Sequence, residues 1–193
     1  MTTSARRSME TKDIVLIALF CGILVALGLI PPLNIGVIPV PITSQTLGVM
    51  LAGAILGPLR GAAASALFLL LVVVGLPVLA GGRGGLGVIA GPTGGYVIGW
   101  IPGALVVGLL VKLLVTRTEA PTARLAFYFV SCVAGGIVVV YAFGIPWSSV
   151  ATGISLGKAA FGALYFIVGD LIKAVITSLV ARGVRRVYPI ELR

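Results

Sequence analysis

The 193-residue sequence lacks histidine, has only two cysteines and contains five acidic residues against fourteen lysines and arginines. Without histidine, the chain alone cannot assemble an imidazole-based catalytic triad or the common zinc sites. Two cysteines are too few for the disulfide framework of a small secreted protein. Charged residues are 10% of the chain, against roughly 25% in soluble domains, which excludes an ordinary water-soluble globule. We therefore do not expect an enzyme.

The low fraction of charged residues is matched by a high fraction of hydrophobic residues. They make up 59% of the chain, and the mean hydropathy is +1.20, a composition that predicts an integral membrane protein. Because an α-helix needs about 20 apolar residues to cross the hydrocarbon, the length allows about six crossings. We expect one all-α domain over residues 1–193, a six-helix transmembrane bundle with spans at about 13–30, 42–57, 62–80, 96–115, 125–143 and 157–184.

The basic residues are distributed unevenly between the two sides that six crossings create. Arg83 and Lys158 fall on one side, and Lys173 lies within the last span. The side that holds both termini collects the other eleven: Arg6, Arg7, Lys12, Arg60, Lys112, Arg117, Arg124, Arg182, Arg185, Arg186 and Arg193. By the positive-inside rule, this bias predicts a multi-pass protein with both termini in the cytoplasm. The net charge of +9 then needs no nucleic-acid partner.

Helix-breaking segments separate the apolar runs. Residues 31–46 carry four prolines and no charge, which favours a loop packed against the bundle. Residues 57–61 are interpreted as a turn, and residues 80–95, with eight glycines in sixteen positions, cannot be helical throughout. Residues 144–156, with one proline and three serines, are interpreted as an interfacial loop.

Asp170 and Lys173 are the charged residues in the middle of the last predicted span. Charge in the middle of a membrane is costly and by default indicates a functional site, although a structural ion pair remains the alternative. Spaced three residues apart, the two side chains share a helix face. If Arg83 joins them, the net charge of +1 favours a small anionic, partly apolar ligand. Thr43 and Gln45 are further polar candidates, either as ligand contacts or as loop caps.

Small residues recur every fourth position in the first predicted helix, at Ala18, Gly22 and Ala26. Such a stripe lets another helix approach closely, either within the bundle or from a partner protein.

Four stretches together carry a resemblance to a known family. They are residues 40–53 (VPITSQTLGVMLAG), residues 75–85 (GLPV through GGRGG), residues 91–96 (GPTGGY) and residues 170–173 (DLIK). On these stretches the chain resembles the BioY family, the biotin-specific substrate-binding (S) components of the energy-coupling factor (ECF) transporters of prokaryotes. The resemblance covers nearly the whole chain.

The resemblance implies high-affinity capture of biotin in a pocket under outer loops, followed by uptake across the cytoplasmic membrane. It implies as partners a transmembrane coupling subunit and two ATPase subunits, with biotin as the transported ligand and no cofactor or metal. Ligand contacts would map onto Asp170, Lys173, Arg83, Thr43 and Gln45. Docking of the coupling subunit would map onto Ala18, Gly22 and Ala26, with Gly22 standing where alanine is usual.

Two other functions remain open at this point. In a membrane scaffold without transport activity, Asp170 and Lys173 would only lock helices together. In a stand-alone ion-coupled vitamin carrier, Asp170 would relay protons.

Biotin also meets the requirements set by the residues themselves, because it has a carboxylate for a cation, a neutral ureido ring for donors and acceptors, and an apolar sulfur ring.

Overall fold

A computed structural model describes residues 10–33, 39–118 and 120–192. Arg6, Arg7 and Arg193, which the topology prediction used, lie outside the described residues. Within these ranges the regular structure is helical: α1 (Thr11–Gly28), α2 (Gln45–Leu56), α3 (Pro58–Val73), α4 (Leu86–Ala90), α5 (Gly94–Leu110), α6 (Pro121–Cys132), α7 (Val140–Thr152) and α8 (Leu156–Val187). Two π-helical segments, Val111–Val115 and Val133–Val139, extend α5 and join α6 to α7.

Four helical segments of the described chain are long and apolar enough to cross a membrane: Thr11–Gly28, Gly94–Val115, Pro121–Thr152 and Leu156–Val187. The apolar helices α2 and α3 are shorter, at 12 and 16 residues. The prediction of an all-α membrane protein is therefore confirmed. Extended pairing in the described residues is limited to two isolated bridges, Leu33 with Ile42 and Leu79 with Arg83.

The turn expected at residues 57–61 is reduced to one residue, and the third helix is displaced toward the N-terminus. Gly57, at a φ of 92°, separates α2 from α3, which begins at Pro58 and ends at Val73 instead of near residue 80. Proline at the first helical position costs no hydrogen bond, because that N–H has no partner within the helix. The five-residue turn was therefore wrong, because Pro58 starts the next helix.

The interfacial loop expected over residues 144–156 was also wrong. Helix α7 continues through Pro146 to Thr152, and the chain turns only at Gly153, whose φ is 70°. In a membrane an unwound backbone would leave polar groups without partners. Two hydroxyls of this segment bond to nearby carbonyls: Thr152 Oγ1 donates to the Ser148 oxygen at 2.6 Å, and Ser149 Oγ donates to the Ile154 oxygen at 2.7 Å.

Helix α5 lies at the centre of the bundle, where it packs against α2, α3 and α7. Glycines allow these close contacts. A Cβ atom on Gly135 would lie 2.5 Å from the Gly103 oxygen, and one on Gly53 would lie 2.5 Å from the Ala104 oxygen. The helices around α5 are thus fixed at short separation, which defines the walls of the cavity described next.

Candidate functional site

A cavity lies between the N-terminal parts of α2 and α5 and the middle of the helical segment α6–α7 and of α8. Its empty volume is about 520 Å³, part of it open to solvent. Apolar and aromatic side chains form most of the wall, among them Val97, Trp100, Val140 and Phe166. Asp170, Lys173, Arg83, Thr43 and Gln45, the five residues predicted for the site, all line this cavity. Mostly apolar walls with a few convergent polar groups are typical of small-molecule sites.

Asp170 is 4% exposed and accepts three hydrogen bonds. Its Oδ1 accepts from Lys173 Nζ at 2.7 Å and from Thr46 Oγ1 at 3.1 Å, and its Oδ2 accepts from the Tyr141 hydroxyl at 2.7 Å. The carboxylate therefore joins α2, α7 and α8 at the cavity wall. Buried charge is tolerated when it is paired and hydrogen-bonded in this way. Each carboxylate oxygen has two acceptor sites, so Oδ2 retains one for a further donor.

Lys173 places its ammonium group at the start of α2. Besides Asp170 Oδ1, Nζ donates to the Thr43 backbone oxygen at 2.6 Å and to Thr46 Oγ1 at 2.9 Å. All three N–H groups of the ammonium are thus occupied within the protein. The pair of Asp170 and Lys173 is close to neutral as a unit, and it fixes the loop that precedes α2 against α8.

Thr43 and Gln45 line the cavity, but their hydrogen bonds are made to other parts of the protein. Thr43 contributes its backbone oxygen. Gln45 is fully buried, and its Nε2 donates to the Leu24 and Val78 oxygens, both at 3.0 Å, while its Oε1 accepts from the Ala80 N–H at 3.0 Å. It ties the end of α1 and the loop after α3 to α2. Its amide holds the cavity wall in place, and the neighbouring Thr46 supplies the hydroxyl in the ion-pair network.

Replacing Gln45 with methionine, which is similar in length, is expected to lower the free energy of unfolding by about 3 kcal/mol. The substitution removes three hydrogen bonds and leaves the Val78 oxygen and the Ala80 N–H without the partner that Gln45 supplies, each costing about 1–3 kcal/mol, with partial relaxation. Thermal unfolding in detergent measures the change. Thr116→Val, which removes one exposed hydrogen bond to the Lys112 oxygen, is the control and should cost little. A Gln45→Met protein as stable as the parent would contradict the assigned role.

Arg83 lies in the loop between α3 and α4. Its backbone pairs with Leu79, and its Nε donates to the Ala80 oxygen at 3.2 Å. Burial lowers the pKa of its guanidinium, but arginine titrates so far above neutral pH that it stays charged. Among the described residues this bond uses one of its five N–H donors. Arg83 is therefore a cation at the cavity with donors to offer an anion.

Three aromatic residues at the cavity were not among the residues predicted for the site. Tyr141 binds Asp170, and Tyr96 packs edge-on against Tyr141 with ring centroids 5.9 Å apart. The Tyr96 hydroxyl and the Trp100 Nε1 are buried at the cavity without a hydrogen-bond partner among the described residues. Buried polar groups are rarely left unpaired, so both groups are candidates to bind a ligand. Aromatic residues are too common in apolar spans for spacing to identify these three.

The small-residue stripe lies on the outside of the bundle. Ala18, Gly22 and Ala26 are all exposed, and a Cβ atom on Gly22 would meet no heavy atom within 4 Å. The stripe is therefore not used for packing within the described part of the chain.

The chain is similar to known proteins over nearly its full length. The model of the BioY family matches residues 1–190. A protein of Rhizobium etli named biotin transporter BioY is 51% identical over 182 residues, covering 94% of this chain and 97% of the relative. A Rhodobacter capsulatus protein of the same name is 47% identical, with the same coverage. A crystal structure described as the S-component for biotin from an ECF-type ABC transporter has a TM-score of 0.83 and 35% identity, covering 93% of this chain and 95% of that one.

Proposed function

This chain belongs to the BioY family, and we propose that it captures biotin at the cavity around Asp170 and Lys173 for uptake across the cell membrane. Its role is that of the substrate-binding subunit of an ECF-type transporter, and it is not an enzyme. The observation that carries the proposal is a buried ion pair in the wall of a mostly apolar cavity. The names of the relatives favour this function over a scaffold or a stand-alone carrier.

The polar groups of the cavity suggest how biotin lies in it. Lys173 is saturated and paired, whereas Arg83 is charged and has unused donors among the described residues. Arg83 therefore takes the valerate carboxylate. The free acceptor site on Asp170 Oδ2 takes a ureido N–H, and the unpaired Tyr96 hydroxyl and Trp100 Nε1 are donors for the ureido oxygen. The aromatic walls enclose the sulfur ring.

The helices and the distribution of cations support a membrane arrangement with six crossings. Helices α2 and α3, separated only by Gly57, are counted as two short crossings in addition to the four long ones. Six crossings with the observed bias of cations put both termini in the cytoplasm. The cavity, which lies toward the end of α1, then faces the outer half of the membrane, with the loops around Thr43 and Arg83 covering it. The location is the cytoplasmic membrane of a prokaryote.

The coupling subunit of such a transporter would dock on the stripe Ala18, Gly22 and Ala26. The exposure of all three residues and the open space around Gly22 support this assignment, because small residues let a partner helix approach closely. The chain would receive energy for transport from two ATPase subunits through that contact.

A thermal-shift titration of the purified protein in detergent tests the function. A ligand that binds only the folded form stabilises it by about 4 kcal/mol at a thousandfold excess over Kd. We expect biotin to raise the unfolding temperature strongly, and biotinamide, which lacks the carboxylate charge, to do so only at higher concentration. An Arg83→Gln protein should lose this preference for biotin over biotinamide. A protein whose unfolding temperature does not respond to biotin would favour the scaffold.

A further inference from the structure

A second cavity, remote from the biotin site, is lined by four arginines. It lies where the start of α6 meets the end of α8, and its lining includes Arg124, Arg182, Arg185, Arg186, Tyr128 and Thr116. Its empty volume is about 940 Å³, including space open to solvent. Arg182 follows Asp170 by twelve positions in the same helix, which separates the two sites by about 18 Å. Biotin binding as proposed uses none of these arginines.

Two of the arginines are held in place by the protein. Arg185 is half-buried, donates from Nη1 to the Ile55 oxygen at 3.4 Å and lies beside the Tyr128 hydroxyl. Arg124 donates from Nε to the Thr118 oxygen at 2.7 Å. Each bond leaves other N–H groups of the guanidinium for a ligand. Of the carboxylates that the structure describes, none lines this cavity, so its lining there is strongly positive.

An apolar groove adjoins the arginine-lined cavity along the same pair of helices. Leu125, Ala126 and Phe129 of α6 and Val175 and Leu179 of α8 form it, and its empty volume is about 570 Å³. Its α8 residues precede the arginines by about seven positions, so along α8 the groove begins about 10 Å deeper. Along α6 the two linings lie side by side on neighbouring faces of the helix. Along α8, the seam between α6 and α8 thus changes from positive at the end of the helix to apolar toward the middle of the membrane.

We propose that this seam binds an anionic phospholipid, with the phosphate held by Arg182, Arg186 and their neighbours and an acyl chain lying in the groove. Basic pockets at the cytoplasmic ends of membrane helices are suited to phosphate headgroups. Topology alone explains cations such as Lys112 and Arg117, which line no part of this cavity, but it does not explain four arginines around one cavity beside an apolar groove of the same two helices. Placement in the cytoplasmic leaflet rests on the proposed topology, whereas the site itself does not.

Native mass spectrometry of the full chain in detergent, titrated with phosphatidylglycerol or phosphatidylcholine, tests the proposal. The double variant Arg182→Gln/Arg186→Gln is expected to weaken phosphatidylglycerol binding about tenfold, since charge-assisted hydrogen bonds are lost. The control Lys112→Gln/Arg117→Gln removes the same charge at the same end of the bundle and should change binding less than twofold. Ala126→Phe, which fills the groove from an exposed position, should weaken lipid binding while leaving glycerol 3-phosphate binding unchanged.

Three outcomes would overturn the proposal. Equal weakening by both double variants would mean diffuse surface charge, and equal binding of phosphatidylcholine would mean that the headgroup is not recognised. Glycerol 3-phosphate competing at the same concentration as the lipid would mean a site for soluble phosphates. The biotin-induced thermal shift, measured on every variant, shows that each is folded. Failure of that shift in the parent protein would count against the proposed function and not against the lipid site.

Discussion

Asp170→Asn and Lys173→Met proteins are each expected to bind biotin about a hundredfold more weakly than the parent, because both disturb the carboxylate proposed to accept the ureido N–H. A hydrogen bond to a charged group contributes about 1.5–3 kcal/mol, and the upper part of that range corresponds to a hundredfold change in affinity. Asp170→Asn removes the negative charge opposite Lys173 and replaces one of the two acceptor oxygens with an NH2 donor, so that Lys173, Thr46 and Tyr141 lose their shared carboxylate. Lys173→Met leaves the carboxylate unpaired and releases the loop at Thr43. Isothermal titration calorimetry with purified protein measures both affinities.

A second buried ion pair supplies the matched control. Asp13 and Arg60 form a salt bridge at the other end of the bundle, both less than 10% exposed, and Arg60 also donates to the Glu191 oxygen at 2.8 Å. Asp13→Asn should lower thermal stability as Asp170→Asn does, but leave biotin affinity unchanged.

The double variant Asp170→Asn/Lys173→Met, which buries no unpaired charge, should recover stability without recovering affinity. Unchanged biotin affinity in both single variants would remove the site from α8.

Gly22→Trp is expected to abolish biotin uptake into cells that contain the complete transporter, while biotin binding to the isolated protein stays normal. Gly22 is exposed, and its surroundings are open, so the folded bundle accommodates an indole there. A partner helix packed against the stripe of Ala18, Gly22 and Ala26 does not, because close approach requires small side chains. Uptake of radiolabelled biotin measures the loss, and co-purification of the coupling subunit shows whether docking fails.

Gly183 provides the corresponding control in α8. It is also an exposed helical glycine whose added Cβ atom would meet no atom within 4 Å, and it lies outside the stripe. Gly183→Trp should therefore leave uptake close to normal. If both tryptophans reduce uptake equally, or if Gly22→Trp leaves it intact, the stripe is not where the coupling subunit docks.

The sequence could identify the residues of the site that are costly in a membrane. Asp170 and Lys173 were recognisable because charges in an apolar run require a reason, and Arg83 because it stands apart from the other cations. The partners of these charges could not be found in the same way. Tyr141, Tyr96 and Trp100 are compatible with lipid, core or ligand, and only the packing of α5 against α7 brings them to the cavity.

Gln45 illustrates a second limit of the sequence. A polar residue in an uncharged loop is equally suited to a ligand contact and to a structural bond. Its hydrogen-bond partners, Leu24, Val78 and Ala80, are distant in the sequence, so only the three-dimensional structure identifies them. The ends of the helices could not be read from single residues either. Proline disfavours the interior of a helix, yet Pro58 starts α3 and Pro146 lies within α7.

A structure of the protein with biotin bound tests the central claim most directly. We predict biotin in the cavity of α2, α5, α7 and α8, with a ureido nitrogen within hydrogen-bond distance of the Asp170 carboxylate and the valerate carboxylate at Arg83. Biotin bound elsewhere, with the bonds of Asp170 to Lys173, Thr46 and Tyr141 unchanged, would contradict the claim. The ion pair would then serve only to hold α2, α7 and α8 together.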